Sequence, residues 1–332
     1  NETDCMVGNP GIIAVADAIV KGLPGIDRER AYQALLTTAA DTARGGALRE
    51  KYGYIPCDLM NEAIAYDMEY AIADGAIAQA AKAMGDTATF RKFNERSHSY
   101  RNYFDPTTGF IRGRFADGSW RTPFDPNATT HRMDDYCEGN AWQYTWLVPQ
   151  DIDGLQECFG SREKTIQALD QLFTTSSELT GDDASPDITG LIGQYAHGNE
   201  PSHHTVYFYT MLGQPDKAAD IIRKVYSDFY TVHPDGLAGN EDAGQMSAWY
   251  ILSSLGFYQV EPASGRYWFG APLYEKAEIE VPAGTFTIKA ENLSPENKYI
   301  RKVTLNGKDY DKMYIMHDDI INGGELIFTM GK

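Results

Sequence analysis

Three short segments of the chain place a carboxylate beside glycine and asparagine at the expected start of a helix. They are Tyr136–Tyr144, His197–His204 and Asp235–Gln245. An acid near a helix N-terminus complements the helix dipole and asparagine is a good N-cap, so capping alone explains each segment taken singly. The three together favour a sugar site, because sugar rings stack on aromatic faces and carboxylates bind hydroxyls.

Glycoside hydrolysis needs one carboxyl group that stays protonated and a second that is ionised. Glu138 and one of Glu241 or Asp242 form the natural pair in this sequence. Asn199 and Glu200 offer hard oxygen ligands, which suit Ca²⁺ more than zinc. On spacing alone, a packed polar turn at Asn199 and Glu200 is favoured over a metal site.

Other reactive residue types lack a catalytic or metal-binding pattern. His203 and His204 lie near His197, but the spacing matches no metal motif, and structural roles are the default for histidine. The four cysteines show no CxxC or CxxH spacing, which argues against a structural zinc site. They allow disulfide pairing, but we expect four free thiols.

Apolar residues recur at helical spacing as far as residue 256, and short Gly/Pro/Asp turns join several helices, which makes them antiparallel neighbours. Two long polar segments, Asp105–Asp135 and Ser176–Asp187, interrupt the helices, and loops of this length are usually functional. The nine predicted helices are Ile12–Leu23, Arg28–Ala43, Tyr66–Met84, Thr89–Tyr103, Gly139–Pro149, Arg162–Thr174, Pro201–Leu212, Pro215–Tyr230 and Gly244–Leu255.

Beyond residue 270 the pattern changes to period two, as in half-buried strands. Ala277–Val281 and Thr285–Lys289 alternate in this way, and Asn306-Gly307 is a hairpin signal. The sequence therefore predicts a mainly α protein. Stacked helical hairpins occupy residues 1–270, and a short antiparallel β segment occupies residues 271–332.

Composition excludes several classes of partner. Asp and Glu number 47 against 29 Lys and Arg, for a formal net charge of −18. Nucleic-acid binding needs basic residues to replace counterions, so a polyanionic partner is disfavoured. No apolar run is long enough for a membrane span. The chain starts with Asn1 and without a signal-peptide pattern, so we expect either that a leader has been removed or that the chain is a piece of a longer protein.

The three segments closely resemble glycoside hydrolase family 92, the calcium-dependent exo-acting α-mannosidases. The resemblance extends over nearly the whole chain, and the long string around His197 is highly specific. The matching strings are Glu138–Tyr144, Gly190–His204, Gly239–Asp242 and Gly244–Tyr250.

The resemblance implies an inverting mechanism with Glu138 as general acid and Asp242 as general base. Asn199 and Glu200 match the region that holds the family's Ca²⁺, and His197 matches a residue near the leaving-group sugar. Asn240 stands where some members carry a second acid, so we expect it to contact water or sugar. We also expect Glu241, Trp142 and His203 to contact the substrate.

The chain departs from the family in two ways. The family's catalytic unit has a β-sandwich followed by an (α/α)6 toroid, so the sandwich and first helices of the toroid are expected to be missing here. Gly75 also stands where members usually carry Trp.

The sequence thus predicts part of an exo-α-mannosidase that trims terminal mannose from glycans such as N-glycans or mannan. A secreted or periplasmic location follows from the resemblance, and the absent β-sandwich is a candidate partner. The alternatives are a catalytically incomplete sugar-binding remnant and a toroid hydrolase acting on another sugar.

Overall fold

Helices and short strands alternate along the chain in a computed structural model that describes residues 6–332. The α-helices are α1 (Pro10–Val20), α2 (Arg28–Ala39), α3 (Gly46–Tyr52), α4 (Ala63–Met84), α5 (Thr87–Arg96), α6 (Ala141–Tyr144), α7 (Ile152–Phe159), α8 (Arg162–Thr174), α9 (Phe208–Met211), α10 (Pro215–Phe229), α11 (Gln245–Ser254) and α12 (His317–Ile321).

The strands are short in the first half of the chain and longer near its end. They are β1 (Phe104–Asp105), β2 (Phe110–Ile111), β3 (Ala128–Thr130), β4 (Thr180–Asp183), β5 (Leu191–Ile192), β6 (Tyr195–Ala196), β7 (Phe257–Tyr258), β8 (Arg266–Phe269), β9 (Lys276–Val281), β10 (Gly284–Glu291), β11 (Tyr299–Leu305), β12 (Lys308–Asp309), β13 (Tyr314–Met316) and β14 (Gly324–Gly331).

The chain divides into two compact units. Unit 1 comprises residues 1–201 and 261–264, and unit 2 comprises residues 202–260 and 265–332. The sequence predicts a helical catalytic region over residues 1–270 and a β segment over residues 271–332. That boundary marks where helical spacing gives way to period-two spacing, and as a division into domains it stays a prediction.

One apolar cluster of unit 1 lies between α1, α2, α4 and α5. Ile12, Ala16 and Ile19 of α1 recur at helical spacing and pack on the alanine-rich face of α4. At the end of α4, Gly85 adopts a left-handed conformation (φ 79°) that most residues avoid, and the Asp86 side chain then caps α5 by accepting from the Thr89 N–H (3.0 Å). A two-residue turn thus makes α4 and α5 antiparallel neighbours.

A buried ion network ties α3 to α4 within unit 1. The Arg49 guanidinium contacts the Asp67 and Asp74 carboxylates at 2.5 Å each, and the Tyr103 hydroxyl donates to Asp67 (2.8 Å). Gly75, beside this network, faces Gln150: a Cβ there would lie 3.0 Å from the Gln150 Cβ. A large side chain at position 75 would therefore displace Gln150.

The two long polar segments pair with each other inside unit 1. Strand β3 lies in the first segment and runs parallel to β4 in the second, with Ala128 opposite Thr180. The Asn127 Nδ2 also donates to the Glu178 carbonyl (3.0 Å). The predicted loops are therefore held by specific contacts.

Unit 2 contains a five-stranded sheet in the order β12-β11-β14-β10-β9 and a three-stranded sheet in the order β13-β8-β7. Phe286, Ile288, Leu326 and Phe328 alternate into its core. The predicted Asn306-Gly307 hairpin is confirmed, since it joins the antiparallel pair β11 and β12. The prediction of purely antiparallel strands is wrong, because β10 and β14 pair in parallel, with Phe286 opposite Gly324.

Several predicted helices differ in extent from the observed ones. The predicted helix Thr89–Tyr103 divides into α5 and a 3₁₀ turn at Ser99–Asn102, and Gly139–Pro149 shortens to α6. Pro201–Leu212 consists mainly of 3₁₀ turns and the one-turn helix α9. The sequence analysis missed α3, α7 and α12, which are 7, 8 and 5 residues long.

No helix among residues 6–332 combines the length and apolar character needed to cross a bilayer. Cys57, Cys137 and Cys158 are free thiols, as predicted, whereas Cys5 lies outside the described residues.

Candidate active site

The backbone around Glu138 in unit 1 is held by the aromatic ring of Tyr144. The Tyr144 hydroxyl donates to the Cys137 carbonyl (2.6 Å) and accepts from the Cys137 N–H (3.2 Å). Glu138 itself adopts φ 54°, a left-handed conformation that is costly for a side chain larger than glycine. A buried tyrosine therefore fixes the strained residue that carries the carboxylate.

Asn140 ends this segment by capping α6. Its Oδ1 accepts from the Trp142 N–H (2.9 Å), and the Gln143 side chain accepts from the Asn140 N–H (2.7 Å), which forms a capping box. The Asn140 Nδ2 also donates to the Gln194 Oε1 (3.1 Å). The capping interpretation is thus correct for Asn140, and it leaves the Glu138 carboxylate outside the cap.

The Glu138 carboxylate lies against Asn199. The Asn199 Nδ2 donates to Glu138 Oε2 and to the Glu138 carbonyl, at 3.2 Å each. Burial of the half-buried side chain raises the pKa of Glu138, and the negative charge of Asp187 raises it further. The Asn199 hydrogen bond and the charge of Arg132 oppose this rise. The net result favours the protonated form that a general acid requires.

Asn199 and Glu200 fit calcium in the type of ligand they offer. The Asn199 carboxamide oxygen and the Glu200 carboxylate are hard oxygen donors, but Ca²⁺ takes about 6–8 such ligands. Among residues 6–332, no group of three or more His, Cys, Asp or Glu side chains is placed to hold a metal ion. These two residues would therefore supply part of a coordination shell that water or sugar hydroxyls complete.

His197 and Trp142 are engaged by other side chains of unit 1. His197 is completely buried, with its Nδ1 2.8 Å from the Tyr195 hydroxyl. The Trp142 Nε1 donates to the Asn127 Oδ1 (2.8 Å), and the indole packs edge-on to Phe110 with ring centroids 4.7 Å apart. Contact of either residue with substrate stays a prediction.

In unit 2, Glu241 and Asp242 have different surroundings although they are adjacent. The Glu241 carboxylate accepts from the Gly244 N–H (2.5 Å) and the Ser247 N–H (3.3 Å). Hydrogen bonding from Ser247, the strongest influence, and from Gly244 lowers the pKa of Glu241. Glu241 therefore acts as a cap for the start of α11.

Asp242 is exposed, and no protein group in the described part of the chain donates a hydrogen bond to its carboxylate. It lies in a turn where Asp242, Ala243 and Gly244 have φ of 51°, 54° and 108°. This left-handed turn directs the chain from Glu241 into α11 and leaves the Asp242 carboxylate open to water. The geometry separates the two acids that spacing alone left equivalent.

His203 and Asn240 complete the predicted residues of unit 2. His203 is buried, its Nδ1 lies 3.1 Å from the Gln245 Nε2, and the Trp249 Nε1 donates to its carbonyl (3.0 Å). Gln245 Nε2 is also 3.1 Å from the Tyr258 hydroxyl. Asn240 is exposed directly before the capping Glu241.

The sequence analysis missed a group of charged residues beside Cys137. The Glu62 N–H donates to the Asp134 carbonyl (2.7 Å), and the Glu62 carboxylate lies 3.9 Å from the Arg132 guanidinium. The pKa of Asp134 is raised to about 6, mainly by burial, and the negative charges of Asp135 and Glu62 contribute to this rise. Positive φ at Glu62 (55°) and Arg132 (61°) matches that of Glu138, but none of these φ values can be inferred from residue type.

The chain is similar to a known protein family and to several solved structures. The sequence profile described as the glycosyl hydrolase family 92 catalytic domain matches residues 1–332. An uncharacterized secreted glycosidase of Arthroderma benhamiae is 27% identical over 368 residues, which cover 98% of this chain and 45% of that protein.

Two solved structures from Bacteroides thetaiotaomicron are similar over the whole or nearly the whole chain. A family GH92 α-mannosidase, in complex with mannoimidazole, is 42% identical with a TM-score of 0.93, over 100% of this chain and 44% of that one. A family GH92 inverting mannosidase is 34% identical with a TM-score of 0.86, over 98% and 46%. The chain thus spans less than half the length of these relatives.

Proposed function

The chain belongs to glycosyl hydrolase family 92, and from that premise we propose that it is the catalytic region of an inverting exo-α-mannosidase. In this proposal the helical hairpins are part of an (α/α)6 toroid. The substrate is a terminal mannose of a glycan such as an N-glycan or mannan. The observation that carries the proposal is the Glu138 carboxyl, half-buried against Asn199 with a raised pKa.

Glu138 is assigned the role of general acid. A carboxyl whose pKa is raised keeps its proton to higher pH, and it can protonate the glycosidic oxygen as the bond from that oxygen to C1 breaks. Tyr144 holds the preceding backbone and Asn199 holds one carboxylate oxygen, so the proton is presented from a fixed position. Fixed positioning contributes to rate because reacting groups need not be ordered during the reaction.

Asp242 is assigned the role of general base. Its exposed carboxylate accepts no hydrogen bond from the described protein groups, so it is available to a water molecule. It would take one proton from that water as the water oxygen bonds to C1 on the face opposite the leaving group. An α-mannoside then yields β-mannose, an alcohol leaving group, an ionised Glu138 and a protonated Asp242.

Calcium is assigned to Asn199 and Glu200 on the type of donors they offer. When bound, a divalent cation would polarise sugar hydroxyls and favour distortion of the ring. Asn199 then has two roles, because its nitrogen donates to Glu138 while its oxygen remains for the cation. His197 and Trp142 of unit 1, and His203, Asn240 and Glu241 of unit 2, are each proposed to contact the substrate.

We place the protein outside the cytoplasm, either secreted or periplasmic. The Arthroderma relative is described as secreted, which supports this proposal. A mannose-containing oligosaccharide or glycoprotein glycan is the proposed partner. A β-sandwich domain, which the family places before the toroid, is the proposed second partner.

The proposed function is tested by following mannose release by proton NMR. With yeast mannan as substrate, β-mannose should appear before mutarotation produces the α anomer. EDTA should slow the reaction and added Ca²⁺ should restore it. Early α-mannose would contradict inversion, and full activity in EDTA would contradict the calcium assignment.

Two further outcomes distinguish the alternative functions. Mannan binding without any mannose release would identify a sugar-binding remnant rather than an enzyme. Release of a different sugar from a mixed glycan panel, with none from mannan, would identify a hydrolase of other specificity. Glu178→Gln, an exposed glutamate in unit 1, is the control for Glu138→Gln and should keep full activity.

A further inference from the structure

A groove of about 230 Å³ lies in unit 1 on the surface of α8. It is lined by Phe110 of β2, Trp142 of α6, Phe159 of α7 and residues of α8, and by none of Glu138, His197, Asn199 or Glu200. Its volume is below the ~300–1,000 Å³ of sites for drug-sized ligands, so one or two small rings would fill it. The groove is therefore a feature separate from the candidate acid.

Aromatic rings form the apolar wall of the groove. Phe110 and Trp142 are perpendicular (86°), while Trp146 and Phe159 are stacked with centroids 5.4 Å apart and planes at 20°. Phe110, Trp142 and Phe159 are only half-buried, so part of each ring faces solvent. The Trp142 Nε1 already donates to Asn127, so the indole offers a ligand in the groove its carbon surface.

Polar side chains of α8 also line the groove. Lys164, Gln167 and Gln171 follow one another at spacings of three and four, which places them on one face of the helix. All three are exposed, and within residues 6–332 their side-chain ends make no hydrogen bond or ion pair. Each carboxamide offers two donors and an acceptor, so these side chains can bind hydroxyl groups.

The lining contains no carboxylate, and its charged side chain is that of Lys164, so a basic ligand does not suit the groove. A pyranose ring suits it, because such a ring presents an apolar C–H face to aromatic carbon and hydroxyls at its edge to carboxamides. We propose that this groove is a second binding site for a neutral sugar ring of the glycan, separate from the site at Glu138. The identity of the glycan rests on the proposed function.

A second contact with the same glycan would raise the effective concentration of its mannose ends near the enzyme. A glycoside with a single sugar ring cannot occupy the groove and the active site at once, so its turnover should be unaffected. The groove is thus expected to matter for polymers such as mannan.

The test uses protein with ¹⁵N-labelled tryptophan, which gives indole N–H signals from only five residues. The Trp142 signal, assigned from its loss in Trp142→Phe, reports the groove. The Trp249 signal reports the surroundings of His203, because that indole donates to the His203 carbonyl. Methyl α-mannoside and yeast mannan should each shift the Trp142 signal saturably.

The variant Gln167→Ala/Gln171→Ala changes only exposed side chains and should weaken the Trp142 response to mannan at least about fivefold, since each hydrogen bond contributes modestly. Ala168→Phe, which places a ring in the groove, should do the same. Gln33→Ala, an exposed glutamine of α2 outside the groove, is the control and should bind as the unchanged protein does.

An unmoved Trp142 signal with both sugars would overturn the proposal, as would equal weakening by Gln33→Ala. A Trp142 shift caused by an aromatic dipeptide but not by sugars would also overturn it, in favour of a peptide site. Failure of the proposed function would be seen as absent mannose release, which is a separate measurement from Trp142 binding.

Discussion

The segments that carry Glu138 and Asp242 share a backbone conformation but differ in the contacts that surround it. Both acids adopt a left-handed conformation, with φ of 54° and 51°. Glu138 is half-buried and bonded to Asn199, 61 residues away, whereas Asp242 is exposed in a turn stabilised by its neighbour Glu241. The same local conformation is therefore supported by long-range contacts in one segment and by local contacts in the other.

This difference matches the two proposed tasks. A general acid must keep its proton, and burial raises the pKa of Glu138 in the required direction. A general base must reach water, and an exposed carboxylate already does. The long-range contacts around Glu138 therefore adjust its chemistry, while the local contacts around Asp242 only direct the chain.

The largest expected effect comes from removing each acid in turn. Glu138→Gln should slow mannan hydrolysis by about 10²–10⁴-fold, the usual contribution of a general acid. The same substitution should reduce the rate much less with 2,4-dinitrophenyl α-mannoside, because its leaving group needs no proton. Asp242→Asn should slow both substrates, because both need an activated water.

Steady-state kinetics on the two substrates measures this contrast. Asp235→Asn, an exposed aspartate of the same region, is the control for Asp242→Asn and should be active. If Glu138→Gln reduced the rate equally with both substrates, Glu138 would not be acting as the general acid, and the proposed difference in task between the two segments would be contradicted.

The second-largest effect is a loss of stability, and this loss should be larger when a cap is removed near Glu138 than when one is removed near Asp242. Asn140→Ala removes a buried cap and its bond to Gln194, so we expect a loss of about 1–3 kcal/mol in the free energy of unfolding. Glu241→Ala removes an exposed cap and should cost less. Urea denaturation followed by circular dichroism compares the two, and an equal or larger loss in Glu241→Ala would contradict the contrast.

The third effect isolates backbone strain in the turn at Asp242. Gly244 has φ 108°, and a Cβ there would meet no described atom within 4 Å. Gly244→Ala should therefore cost about 1–2 kcal/mol through conformation alone. Gly22→Ala is a matched change, also at positive φ with open space around it, and should cost a similar amount in urea denaturation. A neutral Gly244→Ala would show that this turn tolerates rearrangement.

The smallest expected effect is a shift in pH dependence. The negative charge of Asp187 helps to raise the pKa of Glu138, so Asp187→Asn should lower that pKa. The alkaline limb of kcat/KM, where the acid loses its proton, should then move to lower pH. Asp182→Asn, an exposed neighbour, should leave the limb in place. A shift to higher pH would contradict the assigned influence of Asp187.

Local signals in the sequence predicted much of the fold. The helix Arg162–Thr174 has the predicted bounds because Ser161 caps its start and apolar residues recur along it. Non-local features were not predicted. The parallel pairing of β10 with β14 depends on which distant strand is adjacent, and an alternating pattern does not specify that partner.

The candidate site likewise includes residues that the sequence identified and residues that it did not. The residue types and spacing identified Glu138, Asn199 and Asp242, and the family resemblance separated Asp242 from Glu241. Asp187, Glu62 and Gln194 were missed, because each acts on Glu138 or its neighbours through contacts between distant parts of the chain. The length of α6 was overestimated because apolar residues continue to Val148, beyond the end of the helix at Tyr144.

The thiol beside Glu138 gives the protein an internal reporter. Burial raises the pKa of Cys137, so an alkylating reagent can reach a reactive thiolate there only when the segment held by Tyr144 opens. The half-buried Cys158 supplies a reference for the reagent itself. The ratio of the two labelling rates would report how often the acid-bearing segment leaves its place, and whether a bound sugar slows that opening.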